Sequence, residues 1–169
     1  MKVLLIRHGA AEDQAVFART GQPDEKRPLT AEGVAEMRDI AAGLREVVKE
    51  ISVIATSPLV RAEQTAALVG EVFPNAMCET IASMVPGQPY AAFLSWLKSK
   101  QQKKCVAAVG HEPHISGLAS WLLGNDRPIL EMKKGSALLI EFDDELRAGA
   151  GQLRWFMPPK QIIALGARR

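Results

Sequence analysis

Cysteine is scarce in this chain. Cys78 and Cys105 are the two among 169 residues, and they stand far apart. That spacing removes a disulfide framework and a cysteine-based zinc site. Both are expected as reduced, buried strand residues, a pattern that suits a cytoplasmic protein. An excess of one charge is also missing. Lys and Arg total 21 against 19 Asp and Glu, a net charge of +2, so the overall balance points neither to nucleic acid nor to a membrane surface. Any preference for anions must be local. Aromatic residues make up 5% and do not alternate with basic ones as a base-stacking platform requires. Trp96, Trp121 and Trp155 are expected to pack. No apolar run approaches membrane-spanning length. The run at 3–6 is cut by Arg7 and His8, too early for a secretory signal. Internal repeats, low-complexity stretches and an interdomain linker are likewise absent.

What is present is ordinary globular composition, 47% hydrophobic and 24% charged. At this length it implies one domain over 1–169 with a substantial core. Apolar, β-prone runs predict strands at 2–6, 51–56, 77–82, 105–109, 136–142 and 152–156, the last two joined by a hairpin loop over 143–151. Helical patterns lie between most of them. Thr30 caps a helix over 31–49, with Glu32 in its first turn and an apolar stripe from Val34 to Val48 facing the core. Ser57-Pro58 reads as the N-cap and first position of a second helix with Gly70 near its end. A third covers 89–98 with Phe93, Leu94 and Leu97 inward. A fourth opens at Glu112-Pro113 and stops at Gly124-Asn125. The tail at 161–169 reads equally as packed or frayed. Strands alternating with helices give an α/β fold, a three-layer α/β/α sandwich around a mostly parallel sheet.

Chemistry gathers at three strand ends. Arg7-His8-Gly9 follows the first strand, Arg61 lies just past the second, and Gly110-His111-Glu112 follows Val106-Ala107-Ala108-Val109. In a parallel sheet these points share one edge, where ligands bind. Two arginines can grip phosphate oxygens in a bidentate fork without a metal. A neutral histidine can attack phosphorus once its other nitrogen is tied to an acceptor. The helix starts at Pro58 and Pro113 would add backbone N–H groups facing the anion. His111-Glu112-Pro113-His114 is one residue short of the H-E-x-x-H zinc pattern and carries a proline, so no metal site is expected. His114 is expected at the surface or behind the site.

These residues resemble the histidine phosphatase superfamily, whose members share the phosphoglycerate mutase-like fold, and in particular its short SixA-type phosphohistidine phosphatase branch. The resemblance rests on Leu5-Ile6-Arg7-His8-Gly9, Arg27-Pro28-Leu29-Thr30-Ala31-Glu32-Gly33, Ser57-Pro58-Leu59-Val60-Arg61-Ala62-Glu63-Gln64-Thr65-Ala66, Val109-Gly110-His111-Glu112-Pro113 and Lys133-Lys134-Gly135-Ser136, in that order along nearly the whole chain. It implies a metal- and cofactor-independent phosphatase. His8 would form a phosphohistidine intermediate, with Arg7, Gly9, Arg61 and His111 lining the phosphate pocket.

Glu112 has two readings, a general acid for the leaving group or a carboxylate favoured at a helix N-terminus. Arg19, Lys26 and Arg27 lie in a polar loop at 18–28, and Arg19 is the candidate there for a substrate contact. The basic run Lys98–Lys104 reads as a solvated turn. Between Arg61 and His111 there is little room for a lid, and a labile P–N bond needs little acid assistance. Both points favour phosphohistidine on a protein, such as a histidine phosphotransfer domain or a phosphocarrier. A small phosphate ester is the alternative substrate, and a non-catalytic phosphate-binding protein is the alternative function.

Overall fold

A computed structural model describes residues 1–143 and 145–167. In chain order the elements are β1 (Lys2–Arg7), α1 (Gln14–Ala18), α2 (Ala31–Val47), β2 (Val53–Thr56), α3 (Val60–Val72), β3 (Met77–Thr80), α4 (Tyr90–Ser99), β4 (Cys105–Gly110), α5 (His114–Leu122), β5 (Ala137–Glu141), β6 (Gln152–Met157) and α6 (Pro159–Gly166). Short 3₁₀ turns occur at Asp24–Lys26 and Ala82–Met84. The six strands form one sheet in the order β3-β2-β4-β1-β5-β6. β1, β2, β3 and β4 are parallel, and β5 and β6 run antiparallel beside β1. All six strands predicted from the sequence are present.

The three layers follow from the two-residue period of the strands. Leu4 and Ile6 of β1, with Ile54, Ala107, Val109 and Leu139, face a core completed by Met37, Ile40 and Leu44 of α2, Ala66 and Val69 of α3, and Ile162 of α6. Val3 and Leu5, with Val53, Val106, Ala108 and Leu138, face the opposite core, built on Phe93 and Leu97 of α4 and Ile115 and Leu118 of α5. Central strands covered on both faces must be apolar throughout, which explains the continuous runs.

α2 starts as the sequence implies, with Thr30 Oγ1 accepting from Gly33 N at 2.9 Å. Gly33 has a second duty. A Cβ there would lie 2.0 Å from Ala10 O, so the loop after β1 rests directly on the first turn of α2. A similar close approach fixes the tail, where a Cβ on Gly43 would lie 1.9 Å from Ile162 O. α6 therefore packs on α2. Arg168 and Arg169 lie outside the described residues.

Two expectations need correction. α3 begins at Val60 with Leu59 as its N-cap residue, so Pro58 lies outside the helix. Ser57 Oγ instead accepts from Leu59 N, two residues on, at 3.3 Å. Cys105 is buried, but Cys78 is exposed, because β3 is the sheet edge and its residues are mostly uncovered. Of the two positions expected for His114, the surface one is excluded: it is buried with its ring against Tyr90. Among the described residues, no helix is long and apolar enough to cross a membrane.

Candidate active site

The parallel pairing brings the C-terminal ends of β1, β2 and β4 to one edge. Arg7 sits opposite Gly110, and Thr56 opposite Val109. The chain continues this register past the strands: His8 N donates to Gly110 O at 3.0 Å, and Ser57 N to Val109 O at 3.2 Å. His8 and His111 thereby face each other with ring centroids 4.9 Å apart. Arg61, from the first turn of α3, is 6% exposed and His8 is equally so.

The ring of His8 has a defined tautomer. A carbonyl only accepts, so Nδ1 carries the proton and donates to Gly9 O at 2.7 Å. Nε2 then keeps its lone pair. The acceptor that orients the ring, which the sequence left unidentified, is thus the adjacent peptide. That peptide is held in turn, since Gly9 N donates to Thr65 Oγ1 at 3.1 Å and Thr65 Oγ1 donates to Arg61 O at 2.8 Å. One turn of α3 therefore fixes both the histidine loop and the arginine.

Each arginine is held by part of its fork. Arg7 Nη1 donates to Met132 O at 2.5 Å. Arg61 Nη1 donates to Asp24 O at 2.9 Å, and Nη2 to Asp24 Oδ2 at 3.0 Å. The Nε groups of both arginines are buried and have no partner among the described residues, and the same is true of His111 Nδ1. Ser57 Oγ lies 2.9 Å from His111 Nε2. Because that oxygen already accepts from Leu59 N, it can donate to Nε2, which leaves the imidazole proton on Nδ1. Three N–H groups are thus buried without acceptors in one small region. Unsatisfied buried donors cost stability, and an anion with several acceptor oxygens is the ligand that repays them.

Burial also sets the charge of the histidines. Desolvation, reinforced by Arg61 and Arg7, lowers the pKa of His8 from 6.5 to about 4. Desolvation, then His8 and Arg61, lowers His111 to about 3. Both rings are neutral at physiological pH. The unfolded chain takes up these protons near pH 6.5, so stability falls as pH drops from about 6.5 to about 4 for His8 and to about 3 for His111. A bound anion reverses the preference of His111 for neutrality. Sulfate, which does not titrate in this range, is therefore expected to bind with proton uptake. Its stabilisation of the melting temperature should be several-fold larger at about pH 5 than at about pH 8. A sulfate effect that is flat with pH contradicts this electrostatic picture.

The other sequence candidates are placed as follows. Glu112 makes its hydrogen bonds away from both histidine rings: its Oε1 accepts from Met132 N at 2.9 Å and from Ser116 Oγ. Arg27 is committed to Asp24 Oδ1 and to Glu12 O, both at 2.7 Å. Arg19 and Lys26 are exposed. The helix-start amides are partly consumed internally, with Leu59 N on Ser57 Oγ and Ile115 N on His111 O. Lys100 pairs with Glu79 at 2.6 Å, so this member of the basic run is structural. Sequence reasoning missed Asp24, Thr65 and Met132. Thr65, one helical turn from Arg61, was legible from spacing. Asp24 and Met132 act from irregular segments, where no periodicity signals a role.

Comparison with known proteins agrees with this geometry. Residues 3–82 match the profile of the histidine phosphatase superfamily (branch 1). The chain is 30% identical to the phosphohistidine phosphatase SixA of Escherichia coli over 163 residues, covering 94% of each protein. It is also 30% identical to an uncharacterized protein of Picosynechococcus over 158 residues, covering 91% of this chain and 89% of the other. The solved structure of the protein histidine phosphatase SixA complexed with tungstate superposes with a TM-score of 0.80 at 26% identity, covering 96% of this chain and 99% of that one. The chain belongs to the histidine phosphatase superfamily, in its SixA-type branch, and is a phosphatase with a histidine nucleophile.

Proposed function

We propose that His8 is the nucleophile and that the substrate is phosphohistidine carried on a protein in the cytoplasm. The observation that carries the first part is the tautomer of His8, which leaves Nε2 unprotonated between the two arginines and His111. In the first step Nε2 attacks phosphorus, an N–P bond forms, and the bond to the leaving group breaks. Arg7, Arg61 and His111 Nδ1 hold the equatorial oxygens, whose charge they balance without calling on a metal. Gly9 and Arg19, the latter exposed just after α1, are assigned to substrate binding with them. In the second step water attacks phosphorus, the N–P bond breaks, and inorganic phosphate leaves with His8 neutral again.

The substrate assignment rests on likeness to the Escherichia coli enzyme and on what lies between Arg61 and His111. That stretch is spent on the rest of α3, β3, a 3₁₀ turn, α4 and β4, leaving no insertion to enclose a small molecule. A phosphate presented by another protein can reach such a site. Its nitrogen leaving group also asks little of a general acid.

The test compares release of inorganic phosphate from a phosphorylated histidine phosphotransfer domain and from a generic aryl phosphate, without added metal. A kcat/KM at least about 100-fold higher for the phosphoprotein, about 2.7 kcal/mol, supports the assignment. Turnover of the aryl phosphate with none of the phosphoprotein redirects it to small phosphate esters.

A further inference from the structure

Arg7 depends on an irregular strap. Its Nη1 has one partner, Met132 O, and Met132 lies in a stretch without regular structure between α5 and β5. The strap is tied to α5 and the turn before it by side chains spaced four residues apart. Ile129 N donates to Ser120 Oγ at 3.0 Å. Met132 N donates to Glu112 Oε1 at 2.9 Å and approaches Ser116 Oγ at 3.3 Å. Ser116 Oγ donates to Glu112 Oε1. Glu112, just before α5, and Ser116 and Ser120 on it thus make a line of polar groups at four-residue spacing. Met132 itself is fully buried, which fixes the peptide in place.

From this geometry we propose that Glu112 is a positioning residue for Arg7, acting through the backbone of Met132. Met132 offers one backbone group on each side of its Cα. Its N–H donates to Glu112 Oε1, and its carbonyl oxygen receives the guanidinium. Holding the first on a buried residue restricts the second, and so sets how Arg7 presents its guanidinium to a phosphate oxygen. This work needs an acceptor at Oε1 and no transferable proton. A glutamine amide oxygen performs it equally well; a general acid cannot be replaced by an amide.

The inference rests on the proposed role of Arg7 in the phosphate pocket. Its test compares Glu112→Gln and Glu112→Ala. Readouts are kcat/KM for two aryl phosphates of differing leaving-group acidity and calorimetric affinity for inorganic phosphate. Glu112→Ala should lose roughly 10- to 100-fold in kcat/KM, equally for both esters, and weaken phosphate binding by about 10-fold. Glu112→Gln should stay within about threefold of the parent on every readout. A Glu112→Gln enzyme that loses activity most with the poorer leaving group, while binding phosphate normally, overturns the proposal in favour of an acid. Normal phosphate affinity in Glu112→Ala overturns it as well. Because the binding arm needs no turnover, it decides the point even if the substrate assignment fails, and Glu112→Gln alone decides it if the alanine variant does not fold.

Discussion

His8→Ala is expected to lower kcat by at least about 10⁴-fold on any phosphate substrate, because the variant has no atom to accept the phosphoryl group. His111 cannot take over, because its Nε2 is engaged by Ser57 Oγ and its Nδ1 then carries the proton, leaving no free lone pair to attack phosphorus. The variant should still fold and still bind inorganic phosphate, since Arg7 and Arg61 are held by Met132 and Asp24 rather than by the ring. Phosphate affinity within about threefold of the parent, combined with the lost turnover, separates a missing nucleophile from a collapsed site. Residual turnover above about 1% contradicts the assignment of His8 and favours direct attack by water.

Arg61→Ala is expected to cost about 10³-fold in kcat/KM. The residue supplies a buried positive charge to the phosphate, and its two terminal nitrogens fix the loop that carries Asp24. Arg61→Lys should recover little, because one ammonium cannot both reach Asp24 and present a second planar donor. Asp24→Asn is a useful comparison. It removes one ionic partner but leaves the contact to the backbone carbonyl, so a fall of about 10-fold is expected. Equal losses in Asp24→Asn and Arg61→Ala would mean that the loop, not the arginine's charge, is what the site requires. Steady-state kinetics on an aryl phosphate distinguishes these outcomes.

Much of this architecture was readable from the residues. Each central strand announced itself because it is buried on both faces and so is apolar at every position, as in Val106-Ala107-Ala108-Val109. The long helix α2 announced itself through Thr30 and a regular stripe. The convergence of Arg7, His8, Arg61 and His111 followed from parallel pairing alone, before any side-chain contact was known. α1 and α6 were harder. α1 is five residues long, too short for a periodic signal. α6 exists as packed helix because Gly43 leaves space for the Ile162 carbonyl, and that pairing joins positions far apart in the chain. Cys78 illustrates the opposite error. Its run looks like an inner strand, yet strand order alone puts β3 at the edge.

The supports of the site were the least legible part. Asp24 and Met132 fix the arginines from loops, and nothing local distinguishes them from neighbouring loop residues. Glu112 was visible as a carboxylate beside a histidine, which suggested either proton transfer or a helix-start carboxylate. Its contacts to Met132 N and Ser116 Oγ depend on how the strap returns across α5, a tertiary fact with no sequence period.

The most direct measurement is rapid-quench trapping with a ³²P-labelled phosphate substrate, followed by peptide mapping under alkaline conditions that preserve phosphohistidine. A burst of acid-labile label on the peptide carrying His8, absent from His8→Ala and discharged as inorganic phosphate, is the result predicted. Label on His111 or His114, or full turnover with no labelled enzyme at any quench time, would contradict the account at its centre.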